Sequence, residues 1–204
     1  MNKEFSLKLI ADKLSKRGFL PYITSDSKET LNLIKSIIPI SYSVGIPGSV
    51  TIREMGLDVE LKKMGYQVVD VWEKEDREGR LKQLNADVVL TSVNALSKDG
   101  FIVNLDGTGN RVSSMCFGPR EVIAVVGINK IAENLEEAIY RVKNVAAPLN
   151  YQRKNSQTPC SITGKCQNCN NIDTKQCRVL VIHEGRPRGI ETFHVILVKE
   201  SWGF

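Results

Sequence analysis

Apolar residues along this chain switch between helical and strand-like spacing several times. MNKEFSLKLIADKLSKRGF scatters its apolar positions among charges at helical intervals, which predicts an amphipathic first helix. Asp26 followed by Glu29 reads as a capping box, and Leu31, Ile34, Ile37 and Ile38 continue it as one apolar stripe. Ile40 to Val44 alternates as a strand does. GIPGSVTIREMGL then turns the chain into a helix, with Gly56 and Gly65 as helix stops. QVVDVW is a short strand and EKEDREGRLKQLN a surface helix. ADVVLTSVNAL and GFIVNLD are two further strands, the first apolar enough to be buried on both faces. EVIAVVG is the clearest buried strand. From Ile131 to Val145 a helix is predicted, with Leu135, Ala138, Ile139 and Val142 on one face. RVLVIHEG and FHVILVKE close the pattern as strands. Strands alternating with helices imply a layered α/β fold on a largely parallel sheet, in one domain spanning residues 1–204.

One stretch breaks the pattern. Pro148 to Cys177 has no periodicity and is too long for an ordinary connection. Composition does not explain it by disorder, since the chain is 42% hydrophobic and 25% charged. No apolar run approaches the roughly 20 residues of a membrane span. The N-terminal segment lacks the apolar core and cleavage site of a secretory signal, so a reducing cytoplasm is the expected location. Disulfides are then a poor account of the cysteines. The net charge of +5 is spread over helix-like segments beside acidic residues. Without a basic block interleaved with aromatics, nucleic acid is not the expected partner, whereas a small anionic ligand suits the positive balance.

Four of the five cysteines fall in the aperiodic stretch, at about 158–178, spaced Cys160-x5-Cys166-x2-Cys169-x7-Cys177. A C-x-x-C pair brings two sulfurs within reach of one metal, and Gly164 lets the backbone turn beside it. Cys160 and Cys177 lie close enough in sequence to complete a four-thiolate shell. A polar loop of this length cannot fold by apolar burial, and metal binding would supply the missing cross-link. Lys165, Lys175 and Arg178 offset the negative charge of such a centre. The alternatives are surface thiols without a ligand, or a disulfide formed only on oxidation. Zinc and an iron–sulfur cluster both accept all-cysteine shells, and the spacing alone does not separate them. Cys116 stands apart and reads as a packing residue.

Two glycine-rich turns each follow a strand. In the first, Gly45 and Gly48 let backbone approach a ligand, Ser49 and Thr51 add hydroxyls, and a helix start offers free N–H groups to an anion. The alternative is a tight strand-to-helix turn capped by Ser49. The second turn runs Asp106, Gly107, Thr108, Gly109, Asn110, Arg111. Its amide and guanidinium suit a carboxylate or phosphate, or else Arg111 forms a surface pair. Two such turns at strand ends are what a ligand crevice in an open α/β sheet requires. His183 and His194 read as structural, Glu54 as a solvated helix carboxylate able to serve as a base, and Asp99 as a turn former.

Taken together, VGIPGSVTIREMGL, ADVVLTSVNALSKDGFIVNLDGTGNRVSSMCFGP, VIAVVGINKIAENLEEAIYRVKNVAAPLN and TPCSITGKCQNC…C…ILVKESWGF resemble the lactate-utilisation (LUD) domain family, from about Ser25 to the C-terminus. The likeness is closest to short single-domain members with a cysteine-rich C-terminal segment. It implies a fold similar to the isomerase and CoA-transferase-like (NagB/RpiA/CoA transferase-like) superfamily, with the ligand at the glycine-rich strand ends. It also implies a place beside iron–sulfur subunits in a lactate or hydroxy-acid oxidation system, which favours an iron–sulfur cluster over zinc. A non-redox ligand-binding or regulatory module with a structural zinc site is the alternative.

Overall fold

The computed structural model describes residues 3–204, with side chains from Ser6 onward. Met1 and Asn2, part of the helix expected at the N-terminus, lie outside the described residues. In chain order, α1 (Lys3–Lys16) leads into β1 (Leu20–Thr24), α2 (Ser27–Ile37), β2 (Ser43–Ile46), α3 (Val50–Glu54), α4 (Leu57–Lys63) and β3 (Gln67–Asp70). Next come α5 (Arg77–Leu84), β4 (Val88–Ser92), β5 (Ala95–Ser97), β6 (Ile102–Asp106), α6 (Asn110–Cys116), β7 (Glu121–Gly127) and β8 (Ile131–Ala132). The chain ends with α7 (Leu135–Arg141), a π-helical turn (Val142–Ala146), α8 (Ala147–Arg153), α9 (Pro159–Thr163), β9 (Val179–His183) and β10 (Thr192–Val198).

Helix starts follow the capping chemistry in the sequence. Asp26 Oδ1 accepts from the Glu29 N–H at 2.8 Å, and Glu29 reaches back to the Ser25 N–H at 2.7 Å. The box therefore closes one residue before the cap. Asp76 and Asn134 cap α5 and α7 in the same way.

Six strands form one sheet in the order β1-β10-β7-β4-β2-β3, and every pairing is parallel. Alternate residues of β7 explain its continuous apolar run. Val122, Ala124 and Val126 face a cluster with Leu7, Ile10, Leu14 and Phe193. Ile123 and Val125 face the opposite cluster, with Ile34, Ile52, Leu57 and Leu61. A strand covered on both sides has no polar face to show. β1 was not visible in the periodicity because Pro21 interrupts it. It pairs only with β10, and an edge strand tolerates the missing donor.

A second sheet, β8-β5-β6-β9, stands beside the ends of the first and is mixed. Its presence corrects the reading of ADVVLTSVNAL as one strand: β4 ends at Ser92 and β5 begins in the other sheet at Ala95. Asn94 turns this corner. Its N–H donates to Asn104 Oδ1 at 3.1 Å and its own Oδ1 accepts from the Leu105 N–H at 2.9 Å, so side chains replace the ladder. The helix expected from Ile131 likewise starts later, after β8 and the Asn134 cap. It continues past Val145 through the π-helical turn into α8, where Pro148 lacks the N–H that a regular helix needs.

Phe193 on β10 is fully buried and meets Phe19 edge to face at 5.1 Å. Phe193→Ala is expected to cost about 3–5 kcal/mol of stability, read from urea unfolding at unchanged slope. A loss below about 1 kcal/mol would contradict this packing.

Candidate functional site

The parallel strands β2, β4 and β7 all point their C-terminal ends at one cavity of about 380 Å³. The second sheet and α8 form its other walls. This is the position at which open α/β sheets take ligands. Both glycine-rich turns reach it. Gly48, Ser49 and Thr51 line it from one side, and Asp106, Gly107, Thr108, Asn110 and Arg111 from the other. Asn110 Nδ2 joins the two turns, donating to Pro47 O at 3.4 Å and Gln83 Oε1 at 3.3 Å.

Not every residue of the turns faces the cavity. Gly45 lies within β2, where a Cβ would come within 2.6 Å of Gln83 O, so its role is to admit α5 against the sheet. Gly109 is the residue before the first turn of α6. Ser49 caps α3 through the Ile52 N–H. Gly48 has φ +90, and a Cβ there would meet Trp72 Nε1 at 2.6 Å.

Arg111 is largely buried, with its side chain 12% exposed, and uses its donors within the protein. Nη1 donates to Asn104 Oδ1 at 2.7 Å, and Nη2 donates to Asn94 Oδ1 at 2.9 Å and Leu105 O at 3.0 Å. Asp106 Oδ2 lies 3.6 Å from Nε. Burial lowers the proton affinity of the guanidinium, and Asp106 works against that shift. Arg111 is thus neither a surface pair nor a free arm. It is a fixed positive charge in the wall.

Lys130, which no sequence motif singles out, lies just beyond β7 and is 3% exposed. Its Nζ donates to Thr51 Oγ1 at 2.7 Å and to Ser92 Oγ at 2.8 Å. Burial pushes its pKa down to about 7, and the charges of Arg141 and Arg111 act in the same direction, against Glu54. The only sequence signal was one lysine directly after the most apolar strand.

The C-terminal residues strap this site. Trp202 O accepts from Thr51 Oγ1 at 3.3 Å, and the Gly203 N–H donates to Glu54 Oε2 at 2.6 Å. Asn129 holds the strap from below, through Gly203 O and the Trp202 N–H. Gly203 has φ +60, and a Cβ there would come within 2.5 Å of Thr51 Oγ1. Glu54 is exposed, and one of its oxygens accepts from this backbone N–H. At the rim, Arg53 and Arg153 both contact the Trp72 ring, at 4.4 and 4.9 Å from its centroid.

The cysteine segment docks on the second glycine-rich turn. The Arg178 N–H donates to Asp106 O at 2.8 Å, and Gly107 lies against Gln176 O. Cys160 is buried, and all five cysteines are free thiols. Burial raises the Cys177 thiol first, and Cys166 and Cys160 raise it further, so these three share one neighbourhood. Tyr151, also in the cavity wall, is raised by burial and then by Cys177 and Cys160. Among the described residues no three His, Cys, Asp or Glu side chains form a closed metal-holding group. Thiols are the donors that zinc and iron–sulfur clusters take, but among the described residues they are not gathered into a shell.

The histidines and Cys116 lie away from the cavity lining. His194 Nε2 is 3.0 Å from Glu121, near the opposite end of the strands, and its proton affinity is lowered by burial. His183 is likewise lowered by burial, with Cys116 Sγ 3.6 Å from its Nε2.

The depressed Lys130 has a consequence for stability. Between about pH 7 and the unfolded value of 10.5, the unfolded chain holds a proton that the folded chain lacks, so stability rises with pH. Below about 7 both states are charged and the burial penalty is fully present. Lys130→Met removes this dependence. The unfolding free energy of the variant minus that of the parent is expected to be larger at about pH 6 than at about pH 9 in urea titrations. An equal difference at both would contradict the shift.

The family model described as the LUD domain matches residues 7–198. Among solved structures, the chain is similar to the crystal structure of a DUF162 family protein from Deinococcus radiodurans. The TM-score is 0.57 at 16% identity, over 97% of this chain and 99% of that one. At that identity the likeness shows the fold alone. No curated protein matches. The family match takes in both glycine-rich turns, Lys130 and the cysteine segment, and the chain belongs to the LUD domain family.

Proposed function

We propose that this chain binds a small carboxylate or phosphorylated ligand in its crevice and acts as a component of a lactate or related hydroxy-acid oxidation system. The observation that carries this reading is the charge of the wall. Arg80, Arg111, Lys130, Arg153, Lys154 and Arg178 line it against Glu75 and Asp106. With Asp106 engaged by Arg111 and by the Gly107 N–H, the excess is positive and partly shielded from water. An anion entering such a cavity is attracted more strongly than at an open surface. The volume suits a small metabolite. Family membership supplies the hydroxy-acid context, in which iron–sulfur subunits are the fitting partners.

Cys160, Cys166, Cys169 and Cys177 would hold an iron–sulfur cluster in this reading. A bound cluster supplies one-electron transfer. The chain's own contribution is to keep the thiols beside the crevice, through Arg178 and Asp106. The same docking supports a second reading, a non-redox ligand-binding module in which zinc fixes the crevice wall.

Calorimetry with lactate, pyruvate and inorganic phosphate is expected to show binding that weakens as salt is raised. The pair Arg153→Gln and Arg178→Gln should weaken it about tenfold, or ~1.4 kcal/mol. Absence of binding by all three anions, or an unchanged affinity in the double variant, contradicts the crevice. Protein purified without oxygen should carry about one cluster or one zinc per chain. Visible absorption that bleaches on reduction favours the redox component, a colourless zinc protein favours the second reading, and neither metal contradicts both.

A further inference from the structure

We infer that Lys130 is a carbonyl-trapping amine, forming a reversible imine with a small 2-oxo acid held in the crevice. The inference rests on the crevice taking a small carboxylate, and it names the ligand class more narrowly. Buried lysines usually face a carboxylate that keeps them charged. Among the described residues, Lys130 is in no ion pair, and its partners are the hydroxyls of Thr51 and Ser92. The two nearby acids are committed elsewhere: Glu54 accepts from the Gly203 N–H, and Asp106 lies beside Arg111 and accepts from the Gly107 N–H. Thr51 Oγ1 donates to Trp202 O, so it can only accept from the amine along that axis. Ser92 donates only to Val93 O, at 3.4 Å, so its hydroxyl is able to reverse and donate to a nitrogen lone pair. A lysine held by hydroxyls is stable without its proton, as a nucleophilic amine must be.

The charges acting on the amine are Arg111 from α6, Arg141 from α7 and Glu54 from α3, and with burial they keep it near its titration point at neutral pH. Positive neighbours serve two ends. They disfavour the ammonium, and their charge attracts the carboxylate of the ligand. A 2-oxo acid offers both a carboxylate for the cations and a carbonyl for the amine.

The chemistry balances without an oxidant. The Nζ lone pair attacks the carbonyl carbon, the C–N bond forms, and the π pair moves to oxygen. That oxygen takes a proton from the developing ammonium, with the Ser92 hydroxyl placed to relay it. The hydroxyl then leaves with the remaining amine proton as one water molecule, which gives the neutral imine, and water reverses each step. A 2-hydroxy acid has no ketone carbonyl and forms no such bond, so the site retains the oxidised partner of a hydroxy acid and releases the reduced one.

The test is to incubate the full chain with pyruvate at neutral pH, add sodium borohydride and map the reduced adduct by peptide mass. One adduct per chain on the Lys130 peptide is expected, none with lactate, and none at any lysine in Lys130→Arg. Mapping on the parent protein keeps the result independent of how well that variant folds. Calorimetric binding of pyruvate without an adduct on Lys130, or adducts spread evenly over the lysines, overturns the role of the amine and leaves the anion crevice standing. No binding of pyruvate at all overturns both.

Discussion

A largely buried guanidinium must find acceptors inside the protein, and Arg111 finds them on the second sheet and at the corner that joins it to the first. Asn94 sits at the corner between β4 and β5, while Asn104 and Leu105 belong to β6. Leaving one of these acceptors out would strand a donor of a largely buried charge, at a cost of about 1–3 kcal/mol. The web therefore fixes how the mixed sheet meets the ends of the parallel one. Asn94 is bound from both directions, by the Arg111 guanidinium and by the Leu105 N–H, so the corner and the charge stabilise each other.

The chemistry of the crevice follows from that arrangement. Asp106 stands 3.6 Å from Arg111 and offsets only part of its charge. Arg141, whose guanidinium is lowered to about 10 by burial, donates to the backbone oxygens of Asn94 and Asn129 just behind the cavity. Two embedded cations thus surround a space that also holds Lys130. The C-terminal strap completes the enclosure through Thr51, Glu54 and Asn129. A positively charged cavity with a near-neutral amine at its base would suit anionic carbonyl compounds, and the cysteine segment contributes Gln176 and Arg178 to its wall.

Much of the fold was legible because its signals are local. The cap at Asp26 marks a helix start in three or four residues, and the double-sided burial of β7 writes itself as an unbroken apolar run. The two glycine-rich turns were also visible, although Gly45 and Gly109 serve the backbone and do not line the cavity. What failed was non-local. The apolar run ADVVLTSVNAL gives no sign that Asn94 will exchange its ladder bonds for side-chain bonds to β6. Lys130 gave almost none, because Thr51 and Ser92 lie 79 and 38 residues away in sequence and nothing about a lone lysine says it will be buried. The cysteine spacing could be read directly, but its docking against Asp106 and Gly107 could not.

The most direct measurement is the titration of the Lys130 amine itself, followed by NMR of lysine labelled at Nζ and assigned through Lys130→Arg. If burial beside Arg111 and Arg141 governs the crevice, this one resonance moves with a midpoint near 7, well apart from ordinary lysines at about 10.4. If Lys130 titrates together with the surface lysines, burial and the neighbouring cations do not govern its amine, and the account of the site is wrong.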